Sequence, residues 1–304
     1  MKSNSREPSV EPPSVASLRV IVDSLRAEAT QSAEAIAVTR ALFECLTTEW
    51  YLWDQFALRS RLFGRPNPVN TPPLREIPPA LMEAFTMSGL ASVEYVYGDG
   101  TYPDNWPLVY TDYEIDHYLE RIGRREYYIY GMTDVWMWEA IAQFPIRGLK
   151  VVNMGSLTPW YESNCLYFGA SSTTIDYNKI ITLTDRITTM TVAEWERDQP
   201  TFDVAWSISS FEHDGLGMYG DPIDPVGDLK AMARMKEIVK PGGLLFLSLP
   251  VGRDKILFNN ARIYGRHRLP RLMAGWEQLA TFGLEPVHMD GPGHIQPVFV
   301  LRNS

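Results

Sequence analysis

The chain has 304 residues, 45% hydrophobic and 21% charged, with a net charge of −9. That length can bury a sizeable core in one large domain or two smaller ones, and the acidic balance argues against a nucleic-acid scaffold. Two cysteines, Cys45 and Cys165, are too few for a disulfide framework or a zinc set and suit a reducing, cytoplasmic compartment.

Residues 1–14, rich in Ser, Pro and Glu, read as a disordered tail; they lack the apolar stretch of a secretory signal. No apolar run reaches the roughly 18 residues of a membrane helix. Leu18, Val22, Leu25 and Ala29 fall at helical spacing, and Ile36, Leu42 and Leu46 continue the face. The proline-dense stretch 65–79 reads as an extended connector. Residues 80–130 carry aromatics and short helices, DYEIDHYLERIG being the clearest. Residues 15–130 are therefore expected to form a helical N-terminal region whose function is not legible.

The pattern changes near residue 131. TDVWMWEAIAQFP predicts a helix and KVVNMGS a first strand. TPWYESNCLYFGA predicts a helix with Thr158 as N-cap and Pro159 at its first position. SSTTIDYN and RITTMTV predict the second and third strands, FDVAWSIS the fourth. DLKAMARMKEIVKPGG predicts a helix that Asp228 could cap and that ends at Pro-Gly-Gly, followed by LLFLSLPVG as the fifth strand. RLPRLMAGWEQLATFG reads as a helix closed by glycine, and residues 284–301 as a hairpin around a glycine turn. Strands alternating with helices over 131–304 imply an α/β domain with a mostly parallel sheet. Ligands of such sheets sit at the carboxyl ends of the strands, near the switch in strand order. The acidic, glycine-rich stretch after FDVAWSIS leaves such an end. Its acids read as turn-formers and hydrogen-bond acceptors for hydroxyls more than as a metal cage.

This arrangement resembles the class I S-adenosylmethionine-dependent methyltransferases. VVNMGS stands at their glycine-rich first motif, TIDYN at their ribose-binding strand end, FDVAWSISSFEH at their fourth strand and IVKPGGLLFLSLP before their fifth. A narrower resemblance is to domain of unknown function 268, carried by GSLTPWYE, SSFEHDGLGMYGDP and RIYGRHRL in that order. The resemblance implies a Rossmann-like sheet of seven strands with a terminal antiparallel hairpin. It also implies S-adenosylmethionine as cofactor and methyl transfer. The acid- and arginine-rich rim fits a small polar acceptor such as a sugar or glycan precursor, and the acidic charge and short apolar runs set the expectation of no nucleic-acid or membrane partner. The first motif departs from the family: Asn153 stands at the acid position, and Leu157 and Pro159 replace two of three glycines. That departure keeps open a second reading, an inactive methyltransferase-like binding or scaffold module.

On the resemblance, Gly155 and Ser156 pass the methionine part of the cofactor, beside the free N–H groups of the following helix. Asp176 accepts the ribose hydroxyls about 20 residues after Gly155, with Tyr177 packing along the sugar or base. Thr191 and Val192 border the adenine, and Ser207 ends the fourth strand near the sulfonium. His213 and Asp214 are the expected catalytic pair, His213 either as general base or as an orderer of its loop. Trp160, Arg262 and Tyr264 are expected on the substrate side, Arg262 from a cluster with Arg266, Arg268 and Arg271 that could grip an anion.

Overall fold

The computed structural model describes residues 74–96, 108–177, 179–218, 221–291 and 293–304. These lie in the unit Asn67–Ser304; the expected tail at 1–14 and helical faces of 15–49 fall outside the described residues. Helix α1 (Asp112–Gly123) starts at Thr111, whose hydroxyl accepts the Glu114 N–H while the Glu114 carboxylate accepts the Thr111 N–H. This reciprocal box satisfies two donors that a helix start otherwise leaves open. Then follow α2 (Met132–Gln143), β1 (Lys150–Met154), α3 (Trp160–Tyr167), β2 (Ser171–Asp176), β3 (Thr188–Thr191) and α4 (Val192–Asp198). The chain continues through β4 (Phe202–Ile208), α5 (Gly227–Ile238), β5 (Val239–Ser248), α6 (Arg268–Leu272), β6 (Trp276–Phe282) and β7 (Val298–Asn303).

The seven strands form one mixed sheet of order β6-β7-β5-β4-β1-β2-β3. β1, β2, β3, β4 and β5 pair in parallel, and β7 runs antiparallel to both β5 and β6. Alternate residues of the central strands face opposite layers. Val151, Val204, Phe246 and Val300 pack with Tyr118, Met137 and Ile141 of α1 and α2. Val152, Ala205, Leu245 and Leu301 pack with Trp195 of α4 and Met232, Met235 and Ile238 of α5. The strand order reverses between β1 and β4, which opens a crevice at their carboxyl ends.

The region before residue 131 also contributes strands. Ser92–Tyr95 pairs in parallel with Lys255–Phe258, which pairs with Ala261–Ile263, and Val109–Tyr110 pairs with Ile181–Thr182. Five local expectations are corrected. WEQLATF is strand β6, not helix: Gly275 turns left-handed at φ 79° and stops α6, and pairing with β7 overrides the helical propensity of Leu and Ala. The hairpin therefore joins β6 to β7 across 283–297, where His294–Ile295 pairs with Val251–Gly252. Helix α5 stops at Ile238, because Pro241 disfavours helical backbone at Lys240 and Val239 opens β5. Thr158 caps nothing; Pro159 is the N-cap of α3, without a side-chain cap bond.

Asp228 is likewise no cap. It is fully buried in the first turn of α5, where Arg268 binds it through Nε at 2.8 Å and through Nη2, and the Tyr264 hydroxyl donates at 3.0 Å. Arg262 Nε lies 3.8 Å away. Removing this carboxylate leaves two sealed arginines without their counter-charge. Asp228→Ala should cost about 3–5 kcal/mol of stability, read by urea unfolding; a loss under about 1 kcal/mol would show that these charges do not need each other.

Candidate functional site

β1 ends in a turn at Gly155, whose φ of 69° is one that side chains other than glycine resist. A Cβ there would also sit 3.1 Å from Ser210 Oγ. The Gly155 N–H donates to the Ile175 carbonyl at 2.9 Å, and the Ser156 N–H reaches Asp176 Oδ2 at 3.4 Å. The Tyr110 hydroxyl holds the Ser156 carbonyl at 2.8 Å. These contacts bring the first-motif turn against the end of β2.

A cavity of about 290 Å³ opens at this point, near the lower end of small-ligand clefts. Gly155, Asp176, Tyr177 and Val192 line it on the β1–β3 side, and Ser210, Phe211 and Asp214 on the β4 side. Its floor is apolar, from Ile175, Trp195, Met235 and Ile238; Lys230 and Arg234 of α5 stand at its wall. Both are paired, Lys230 with Asp224 at 2.6 Å and Arg234 with Glu196 at 2.8 Å.

The loop after β4 is shaped from beneath. Arg262 is wholly buried and donates through Nη1 to the carbonyls of Asp214 and, at 3.4 Å, Glu212, and through Nη2 to that of Asp224 at 3.1 Å. Asp221 Oδ2 accepts the Gly215 and Gly217 N–H groups at 2.7 and 3.1 Å. Gly215 packs so closely that a Cβ would lie 2.1 Å from the Asp224 carbonyl oxygen. The acids of this loop thus hold its turns, and no cluster of three or more His, Cys, Asp or Glu with metal-site geometry occurs among the described residues.

Asp214 stands apart. Burial pushes its carboxyl up to about 7, and the neighbouring Asp221 adds to the rise while Arg262 opposes it. Such a group changes charge near neutrality, as a proton acceptor should. His213 is half-buried beside it. Its Nδ1 meets the Asn260 carbonyl at 2.6 Å, so Nδ1 carries the proton, and its Nε2 lies 3.8 Å from Glu212 Oε1. Glu212 is buried and held by the Ser209 hydroxyl at 2.6 Å, and desolvation raises its pKa.

Three segments named from the sequence therefore meet: GSLTPWYE at the turn, SSFEHDGLGM along the rim, and RIYGRHRL beneath it. Residues 148–289 match the family described as Caenorhabditis protein of unknown function, DUF268. The DUF268 match runs from just before β1 into the helical turn at 286–290 and contains every lining residue named above. No curated protein matches the chain. Similar solved structures include 1,6-didemethyltoxoflavin-N1-methyltransferase of Burkholderia thailandensis, determined with S-adenosylhomocysteine bound. It is 14% identical, with a TM-score of 0.43 over 62% of this chain and 86% of that one. A putative sarcosine dimethylglycine methyltransferase from Galdieria sulphuraria is 15% identical (TM-score 0.40; 57% and 84% covered). The N-methyltransferase NodS of Bradyrhizobium japonicum is 12% identical (0.38; 57% and 85%).

Of the expected site residues, the structure gathers Gly155, Asp176, Tyr177, Val192 and Asp214 around one cavity, with Ser156 just behind the turn. Thr191 lies at the rim's edge, its hydroxyl accepting the Glu194 N–H as the N-cap of α4. Ser207 is buried within β4, and His213 faces Asn260 and Glu212. Trp160 is buried against α2, its Nε1 donating to Asp134 at 3.0 Å. Tyr264 and Arg262 lie under the loop. The helix start offers fewer donors than expected: Pro159 has none, and the Trp160 N–H is spent on the Thr158 carbonyl at 2.7 Å. The α5 wall was missed although its signal was present, since Gly227, Ala231, Met235 and Ile238 recur at helical spacing.

Arg262→Lys replaces a three-carbonyl fork by one ammonium. We expect a loss of about 2–4 kcal/mol, the scale of one or two charge-assisted hydrogen bonds, together with new protease cleavage between residues 212 and 224. Wild-type resistance to cleavage would show that the loop keeps its shape without the fork.

Proposed function

We propose that the chain is an S-adenosylmethionine-dependent methyltransferase acting on a small polar acceptor. The observation that carries this reading is the placement of Asp176: it ends β2, the neighbour of β1 on the far side from the switch in strand order, against the Gly155 turn and across one cavity from Asp214. The residues present fit the nucleoside part of the cofactor. A strand-end carboxylate can accept both ribose hydroxyls, Val192, Ile175, Phe211 and Met235 give a flat base an apolar slot, and the Gly155 turn admits close approach. When bound, S-adenosylmethionine supplies a methyl group activated by its sulfonium.

Asp214 is the residue proposed to take the proton that an attacking hydroxyl or amine must lose. Its role requires the ionised form, so activity should rise with pH up to about 7 and then level. His213, with Nδ1 fixed on Asn260, orders the loop that presents Asp214. The acceptor, such as a sugar or glycan precursor, is proposed to enter between this loop and the exposed Tyr177. The methyltransferase-like domain is proposed to begin near residue 131, with α1 of the preceding region packed on its sheet, and the compartment is proposed to be cytoplasmic; Cys165 is a free, buried thiol, and no helix among the described residues is long and apolar enough to cross a membrane.

A specific observation supports the second reading, an inactive binding module: Leu157 stands exposed where the methyltransferase motif has glycine. Calorimetric titration with S-adenosylhomocysteine separates the two. Binding by the wild type, weakened by about 1.5–3 kcal/mol in Asp176→Ala, supports the enzyme; no heat of binding at millimolar ligand would remove the cofactor and favour the module. Once an acceptor is in hand, Asp214→Asn should lower turnover by about 100- to 10,000-fold with cofactor affinity little changed. Equal turnover in that variant would take the base assignment from Asp214.

A further inference from the structure

Three of the eight buried polar side-chain atoms without hydrogen-bond partners among the described residues lie along one segment. Asn153 Oδ1, Thr158 Oγ1 and Glu162 Oε2 are all sealed from solvent and make no hydrogen bond. They run from the end of β1 through the first-motif turn into α3. Glu162 is wholly buried, and its other oxygen accepts the Thr174 hydroxyl at 2.6 Å. Asn153 lies beside Thr174 in the β1–β2 register, and its amide donates to Ser172 Oγ at 3.0 Å. The Glu162 carboxyl thus sits over the same strand pair as the asparagine that replaces the motif's acid. An open carboxylate oxygen in such a place is costly unless something completes it.

Resting on the nucleoside reading above, we propose that Glu162 is a positioning residue for a ligand's cationic amino group. Acting through the Ser156 hydroxyl, it gives the Gly155–Ser156 turn the negative charge that Asn153 withholds. The Ser156 hydroxyl has one proton and two claimants. It donates to the Thr158 carbonyl at 2.8 Å, and it stands close enough to Glu162 to favour that carboxyl's anion. A cation at the turn draws the Glu162 proton off to solvent; the serine hydroxyl then turns to the carboxylate and leaves its own lone pairs and the Thr158 carbonyl to the ligand.

Burial pushes the Glu162 carboxyl up to about 7, Asp176 adds to the rise, and the Thr174 and Ser156 hydroxyls oppose it. The other ionisable groups facing it are Tyr110, with Glu114 behind, and Cys165 on its own helix. The group is therefore neutral below that pH and charged above. A ligand that prefers the anion binds more tightly as pH rises from 6 to 8.

The test compares S-adenosylhomocysteine with 5′-methylthioadenosine, which lacks the amino-acid end, by calorimetry at pH 6, 7 and 8 on wild type and Glu162→Gln. We expect wild-type affinity for S-adenosylhomocysteine to rise about tenfold across this range, one pKa unit of linkage. In Glu162→Gln that rise should vanish and affinity at pH 8 should fall about tenfold, while methylthioadenosine binds both proteins alike at each pH. A slope common to both proteins and both ligands belongs to Asp214. Equal weakening of both ligands in the variant, or an unchanged slope for S-adenosylhomocysteine, overturns the inference and leaves the nucleoside reading standing. Failure of the wild type to bind either nucleoside overturns both. Because the raised pKa means that stability is lost as pH rises through about 7, Glu162→Gln should melt no lower than wild type at pH 8; a lower melting temperature with a retained pH slope makes the glutamate structural and overturns the proposal.

Discussion

A guanidinium carries five N–H donors and cannot shed its charge. Sealed from water, Arg262 must draw backbone carbonyls to itself, and it draws those of Glu212, Asp214 and Asp224 from both arms of one loop. That demand fixes the path of the loop: carbonyls turn inward, and the Asp214 side chain is left at the cavity. Phe85 lies 5.9 Å beneath the guanidinium, and Asp228 supplies the opposite charge, shared with Arg268. Gly215 and Gly227 can then pack backbone against backbone, with no room for a Cβ at either position. Shape at the candidate site is thus bought by a buried charge cluster below it.

Much of the architecture could be read from the chain. The β-branched run SSTTID and the apolar FDVAWSI gave β2 and β4, and the regular apolar spacing of DLKAMARMKEI gave α5. The turn at Gly155 and the carboxylate at Asp176 were legible because their chemistry depends on local backbone and strand-end position. WEQLATF was not, since its leucine, alanine, glutamate and glutamine favour a helix in isolation and only the β7 edge makes it a strand.

The site residues divide along the same line. Arg262, Tyr264 and Trp160 looked like surface tools because arginine and aromatics often recognise ligands, but sequence carries no burial coordinate for them. Their partners, Asp228, Asp134 and three loop carbonyls, are distant in the chain. His213 and Asp214 stand side by side in sequence, yet alternate directions send one ring toward Asn260 and one carboxyl toward the cavity. Glu162 went unremarked as a titrating group because a glutamate one turn into a helix is ordinarily solvated; only the pairing of α3 with Thr174 makes it otherwise.

The placement of β7 between β5 and β6 has a consequence for the order of assembly. β6 is made before β7, yet it touches no other strand of the sheet. Until β7 arrives, β5 presents an open edge running through the hydrophobic sequence LLFLS, and β6 is a strand with nothing to pair to. Open apolar edges are where nascent chains join one another wrongly. The 15 or so residues between β6 and β7 therefore act as a tether: a short one keeps the missing strand at high local concentration, closing the edge from within the molecule before a neighbour can.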